Sequence, residues 1–199
     1  MRFFIFIIFF EKVTKSVFFK HIIYRKNKKQ ERDSVMYRND NYINFAGILR
    51  YIPNAVAMVQ GGEMYPDING TVRFYDTAYG TVVFAEILGL PLGSGGEGTV
   101  FGFHIHSGGS CSGESEPFSD TGSHYDVGEH LHPYHSGDLP PLFGSGGIAF
   151  SAFLTDRFKT EDIIGRTVVI HDGADDFKTQ PAGNSGMKIA CGEIVGVRR

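Results

Sequence analysis

The chain has 199 residues, 42% hydrophobic and 21% charged, enough for one domain with a sizeable core plus some extra sequence. Twenty-six glycines and no tryptophan favour a turn-rich, all-β design. The net charge of −3 is uneven: residues 1–50 hold eleven basic against four acidic residues, residues 51–199 eight against eighteen, and such an acidic body is a poor nucleic-acid binder.

Residues 1–35 read as foreign to the rest. "MRFFIFIIFF" puts eight apolar residues, Phe3 to Phe10, behind Arg2, far fewer than the roughly 20 that span a bilayer as a helix. An export signal can have so short an apolar region, and a marginal small-residue site follows at Thr14 and Ser16. The charge run "YRKNKKQERDS" lacks apolar periodicity and reads as solvated and disordered, and Met36 comes directly after it. Two readings stay open. A degenerate signal in residues 1–16 implies an exported or cell-surface protein, and a true start at Met36 a cytoplasmic one. Under either, 1–35 is an extension outside the fold, 36–53 a lead-in and 54–199 the functional domain.

From about Val56 short strands alternate with turn signals. In "TVRFYD", Val72 and Phe74 alternate with Arg73 and Tyr75 behind the hairpin-type pair Asn69-Gly70. "AYGTVVFAEILGLP", "TVFGFHIH", "GIAFSAFL", "RTVVIH" and "MKIACGEIVGV" read as further strands. Their spacing predicts an antiparallel sandwich or barrel. Two connections, 107–147 and 172–187, are far longer than a hairpin needs, which marks them as functional.

Seven of the eight histidines, His104, His106, His124, His130, His132, His135 and His171, fall within those strands and loops. A strand sends successive side chains to opposite faces, so His104 and His106 share one face of "GFHIH" and can close on one ion. In isolation such a pair is as often a satisfied polar pair on a half-exposed strand. "HPYHSGD" adds His132, His135 and Asp138, an N,N,O set that suits zinc once a fourth ligand arrives. His171 ends "TVVIH" at the sheet rim and joins His104 and His106 in an imidazole set that suits copper as well as zinc.

Taken in order, "GFHIH", "GSHYD", "HPYHSGDLP", "VVIHDGADD" and "GNSGMKIACG" resemble the copper/zinc superoxide dismutases, in the bacterial form with a short zinc segment, over roughly residues 54 to 197. The resemblance implies a Greek-key β-sandwich or flattened barrel of about eight antiparallel strands, copper and zinc as cofactors, and dismutation of superoxide to oxygen and hydrogen peroxide by copper redox cycling. By position, it puts copper on His104, His106, His124 and His171, and zinc on His124, His132, His135 and Asp138. His124 would bridge the metals and carry the proton for peroxide. Asp175 would tie His104 to His132. Cys111 and Cys191 would form a disulfide, which in the chain-entropy argument contributes roughly 4 kcal/mol. Lys188 matches the family's guiding arginine, keeping the charge but losing the planar fork. Ser107 replaces the usual acidic residue after the histidine pair. His130 competes with His132 for zinc, and the resemblance favours His132, which lies eight residues after His124 as in the family.

Other classes fit less well. A cupin expects a glutamate soon after the histidine pair, and the first here is Glu114. A barrel hydrolase needs alternating helices, of which there is no periodicity. A non-enzymatic metal-binding or interaction protein on the same fold would be marked by a lost copper ligand, and all four matching histidines are present. The expected partners are superoxide, no nucleic acid and no stable membrane span; the family resemblance leaves both a monomer and a homodimer open.

Overall fold

A computed structural model describes residues 45–94, 99–114 and 116–198. The chain divides into two units, and the second, Phe45–Arg199, holds all of these residues. The apolar run, the charge run and Met36 lie outside the described residues.

Among the described residues, nine strands form one antiparallel sheet: β1 (Ala55–Gly61), β2 (Asn69–Thr77), β3 (Gly80–Leu88), β4 (Val100–Phe101), β5 (Phe103–His106), β6 (Leu142–Ser145), β7 (Ile148–Thr155), β8 (Thr167–His171) and β9 (Lys188–Gly196). Their spatial order is β4-β6-β7-β3-β2-β1-β9-β8-β5. The two ends of the sheet are therefore consecutive in sequence, separated by Gly102 alone, and the sheet curls into a nearly closed barrel. Among the described residues, two single-turn α-helices, α1 (Phe45–Ile48) and α2 (Thr160–Ile163), and a 3-10 turn at Ser119–Thr121 accompany the sheet.

The segment "TVFGFHIH" is thus two strands rather than the expected one. Gly102 joins the two ends of the sheet and stays tied to the end of β8: its N–H donates to Gly173 O at 2.7 Å and its carbonyl accepts from His171 N at 2.9 Å. A Cβ there would lie 2.6 Å from Ser185 Cβ and 3.2 Å from His171 Cβ, so only glycine fits. Strand β6 interrupts what the sequence suggested was loop as far as residue 147. Its four residues follow two prolines and include Gly144, too short a pattern to read as a strand.

The core is one cluster that includes Val72, Phe74, Ala85, Ile87, Phe101, Phe103, Ile105, Leu142, Val168, Ile170, Ile189 and Ile194. Phe103 and Ile105 contribute β5's inner face. Its other face carries His104 and His106, and these too are buried, at 0% and 2% exposure. The strand is covered on both sides, not half-exposed. A smaller cluster of Tyr75, Val82 and Phe84 packs under Ile48 and Leu49 of the lead-in.

Candidate metal centre

The loop after β5 turns back along it. Tyr125 N donates to Ile105 O at 2.8 Å, Ile105 N to Gly137 O at 2.8 Å, and Gly137 N to Tyr125 O at 2.7 Å. Isolated bridges pair His106 with His124 and His104 with Asp138. Gly137 permits this approach, since a Cβ there would lie 2.3 Å from Ile105 O. The backbone thereby sets His124 and Asp138 beside the strand histidines. His171 arrives from the end of β8, past a register shift at Ile170/His171.

Two groups of donors result. One is His104, His106, His124 and His171, the other His124, His132, His135 and Asp138, with the ligand atoms of each group within 4.8 Å of one another. In the first group the outer ring nitrogens are spoken for. His104 Nε2 meets Asp175 Oδ2 at 2.8 Å, His106 Nδ1 meets Gly122 O at 2.9 Å, and His171 Nδ1 meets Gly186 O at 3.2 Å. A neutral imidazole has one N–H, so each of these contacts places it outward and leaves a bare lone pair inward. Those inward nitrogens are His104 Nδ1, which has no hydrogen-bond partner, and the Nε2 atoms of His106 and His171, 3.3 Å apart. Burial, reinforced by neighbouring imidazoles and the Lys188 ammonium, holds His106 down to about 2 and His171 down to about 3, and burial lowers His104 as well. The rings are neutral and ready to ligate at ordinary pH.

His124 faces both groups. Its Nδ1 lies 2.7 Å from Asp138 Oδ1, and its buried Nε2 has no partner. His132 Nδ1 and His135 Nδ1 each lie 3.1 Å from Asp138 Oδ2, but His132 Nδ1 makes no hydrogen bond. Burial would raise the Asp138 pKa, but the His124 hydrogen bond and adjacent rings outweigh it and keep the carboxylate ionised. His130 stands apart: its side chain is 53% exposed and its Nδ1 meets Asp126 Oδ1 at 3.0 Å. Asp175 joins the two groups, accepting from His104 at 2.8 Å and from His132 Nε2 at 2.8 Å. Burial opposes its ionisation, yet these bonds and one from Phe177 N hold it well below the usual carboxylate range.

Several supporting residues carried no sequence signal. Arg157, just after β7, donates through Nη1 to Pro133 O at 3.0 Å, Asp138 O at 3.1 Å and His135 O at 3.2 Å, clasping the segment that bears the second group. Gln180 pairs with the backbone of His132 in both directions, at 3.0 and 2.8 Å. Gly183, at φ +65°, must lack a side chain because a Cβ would lie 2.1 Å from Asp175 Oδ1. The carbonyls of Gly122 and Gly186 are backbone groups that any residue could supply. Cys111 and Cys191 form a disulfide that ties the long loop to β9.

A cleft of about 1100 Å³ opens on to His106, His124 and His171, with Met64, Met187 and Lys188 also lining it. Lys188 Nζ donates to Thr121 Oγ1 at 2.8 Å, Gly122 O at 3.1 Å and Phe118 O at 3.3 Å. Burial lowers its pKa, with Glu116 acting in the opposite direction. Gly122 O therefore serves both the ammonium and the His106 ring.

Two donor groups sharing one imidazole on an antiparallel barrel define a dinuclear metalloprotein: orphaned buried nitrogens need a cation, and the mixed imidazole and carboxylate sets suit copper and zinc. The family model described as copper/zinc superoxide dismutase matches residues 68–194. The Cu-Zn superoxide dismutase of Deinococcus radiodurans is 37% identical over 144 residues, covering 63% of this chain and 76% of that one. That of Photobacterium leiognathi is 33% identical over 140 residues, covering 63% and 78%. The Cu/Zn superoxide dismutase structure from Brucella abortus aligns with a TM-score of 0.59 and 25% identity, over 70% of this chain and 98% of that one. The chain belongs to the copper/zinc superoxide dismutase family.

Proposed function

We propose that this superoxide dismutase works at a copper held by His104, His106, His124 and His171 beside a zinc held by His124, His132, His135 and Asp138. The observation that carries the assignment is the set of buried, partnerless imidazole nitrogens: His104 Nδ1, His124 Nε2 and His132 Nδ1. Left without a cation, each would cost on the order of 1–3 kcal/mol in lost solvation.

When bound, copper supplies one-electron redox chemistry and zinc a fixed charge without redox. The protein's own groups do the rest. Two superoxide ions and two protons give dioxygen and hydrogen peroxide. His124 Nε2 is the proton carrier of our reading, since it is left without a partner while Nδ1 is held beside Asp138. Gly122 O, Gly186 O and Asp175 fix the tautomers of the other copper-side rings. The Lys188 ammonium lines the cleft and draws in the anion, offsetting long-range repulsion by the acidic body.

The test is metal analysis of the purified full chain with superoxide decay measured beside it. About one copper and one zinc per chain are expected, with copper lost from His106→Gln and zinc from His135→Ala. Copper retained at full stoichiometry in His106→Gln would overturn the assignment. Residues 54–199 are proposed as the functional domain and 1–35 as dispensable, so a chain starting at Met36 should keep its activity. No helix among the described residues is long and apolar enough to cross a membrane. Two copies are proposed to associate as a homodimer, for which exposed Ile148, Phe150 and Leu154 on β7 offer apolar surface. Sedimentation of the metal-loaded chain showing only a monomer would remove that reading.

A further inference from the structure

The proposed copper ligands are almost wholly buried, with His104 at 0%, His106 at 2% and His171 at 4% exposure, so the ion must travel to reach them. The cleft is the way in: it reaches His106, His124 and His171 from outside. Two thioethers stand on its walls. Met64 is 63% exposed and Met187 55% exposed, so both sulfurs are open to a solvated ion.

Both are presented on pinned backbone. Met64 occupies the turn between β1 and β2, closed by Tyr65 N donating to Gly62 O at 2.9 Å and anchored by Gly62 N donating to Ile189 O at 2.9 Å. Met187 N donates to Asp172 Oδ1 at 2.7 Å, and its carbonyl accepts from Asp172 N at 2.9 Å. The two turns flank the start of β9, where Lys188 and His171 are paired.

We infer that Met64 and Met187 form an entry site for copper(I) at the mouth of the cleft, which passes the ion inward to the four imidazoles. The inference rests on the copper assignment above. A thioether is neutral and soft, so it holds copper(I) but has little affinity for zinc or copper(II). That distinction matters here, because the imidazole set alone would accept zinc. Glu116 and Glu129, also in the cleft, attract any cation and cannot discriminate. Lys188 repels all cations alike, which leaves selectivity to the sulfur donors.

The full chain, stripped by chelator and given one equivalent of zinc, is mixed with copper(I) in acetonitrile. At intervals it is quenched with a strong copper(I) chelator and assayed for retained copper. Met58, on β1 and 63% exposed, does not line the cleft and is the internal control. The double variant Met64→Leu/Met187→Leu, nearly volume-conserving, should load copper(I) severalfold more slowly, reach the native copper content, and load copper(II) at the native rate. Met58→Leu should match the native chain throughout. Silver(I), a redox-silent stand-in, should shift the methyl resonances of Met64 and Met187 and leave that of Met58. Native-rate loading by the double variant would overturn the proposal, as would equal slowing by Met58→Leu. A lower final content would overturn it too, since an entry site changes the rate and not the endpoint. If the native chain itself retains no copper, it is the copper assignment that fails, independently of the two methionines.

Discussion

At the scale of single residues, the choice between His130 and His132 turns on where each ring is committed. His132 is buried between Asp138 and Asp175, whereas His130 is half in solvent and paired with Asp126. His132→Ala should lower zinc affinity by well over tenfold, while His130→Ala should change it little, as read by competition with a chromogenic chelator. Equal losses would refute the zinc set. Lys188 is a harder case, because its ammonium is both a charge in the cleft and a clasp on Thr121, Gly122 and Phe118. Lys188→Glu should slow superoxide decay far more than Lys188→Gln, and added salt should slow the native enzyme while leaving the Glu variant unchanged or faster. A guanidinium's fork suits a two-oxygen anion, yet Lys188→Arg must also satisfy three acceptors spaced for an ammonium. Native behaviour of the Glu and Gln variants across a salt series would move the guiding role elsewhere, with Lys178 the next cation to test.

At the scale of elements, the segment proposed to hold zinc has little regular structure and is held from outside. Arg157 grips three of its carbonyls and Gln180 grips His132. Arg157→Gln should therefore weaken zinc binding, by about 10- to 100-fold if it behaves as an outer-shell partner, with copper-site spectra nearly unchanged. Zinc affinity at the native level would show the clasp to be idle. These supports were illegible in the sequence for a plain reason. Arg157 acts on backbone oxygens, and a carbonyl leaves no mark in a sequence. The donor side chains were legible because seven of the eight histidines crowd into one stretch of the chain and the family resemblance sorted them into two sets. Strand β6 and the break at Gly102 were hidden, since four residues after two prolines, or one glycine in an apolar run, give no period to read.

For the whole molecule, the depressed histidines couple the site to stability. Without metal, His106 and His171 take up protons in the native state only near pH 2 and 3, whereas in the unfolded chain they do so near 6.5. Between those values the unfolded chain binds more protons, so stability falls as pH drops from about 6.5 toward 3. The chelated protein's denaturant midpoint should decline across that range, and His171→Gln should flatten the slope. A midpoint independent of pH would contradict the burial of these rings.

The seam at Gly102 carries a consequence for association rather than for chemistry. β4 and β5 end the sheet without pairing to each other, and they are kept side by side by one residue at which any side chain would collide with Ser185. Gly102→Val should leave much of the sheet paired but part those two ends, baring the β4 and β5 edges, whose free N–H and C=O groups can template another chain. The expected product is an aggregate rather than an inactive monomer, seen as light scattering and thioflavin fluorescence that grow with protein concentration. A monodisperse variant would show that closure is maintained by more than this glycine.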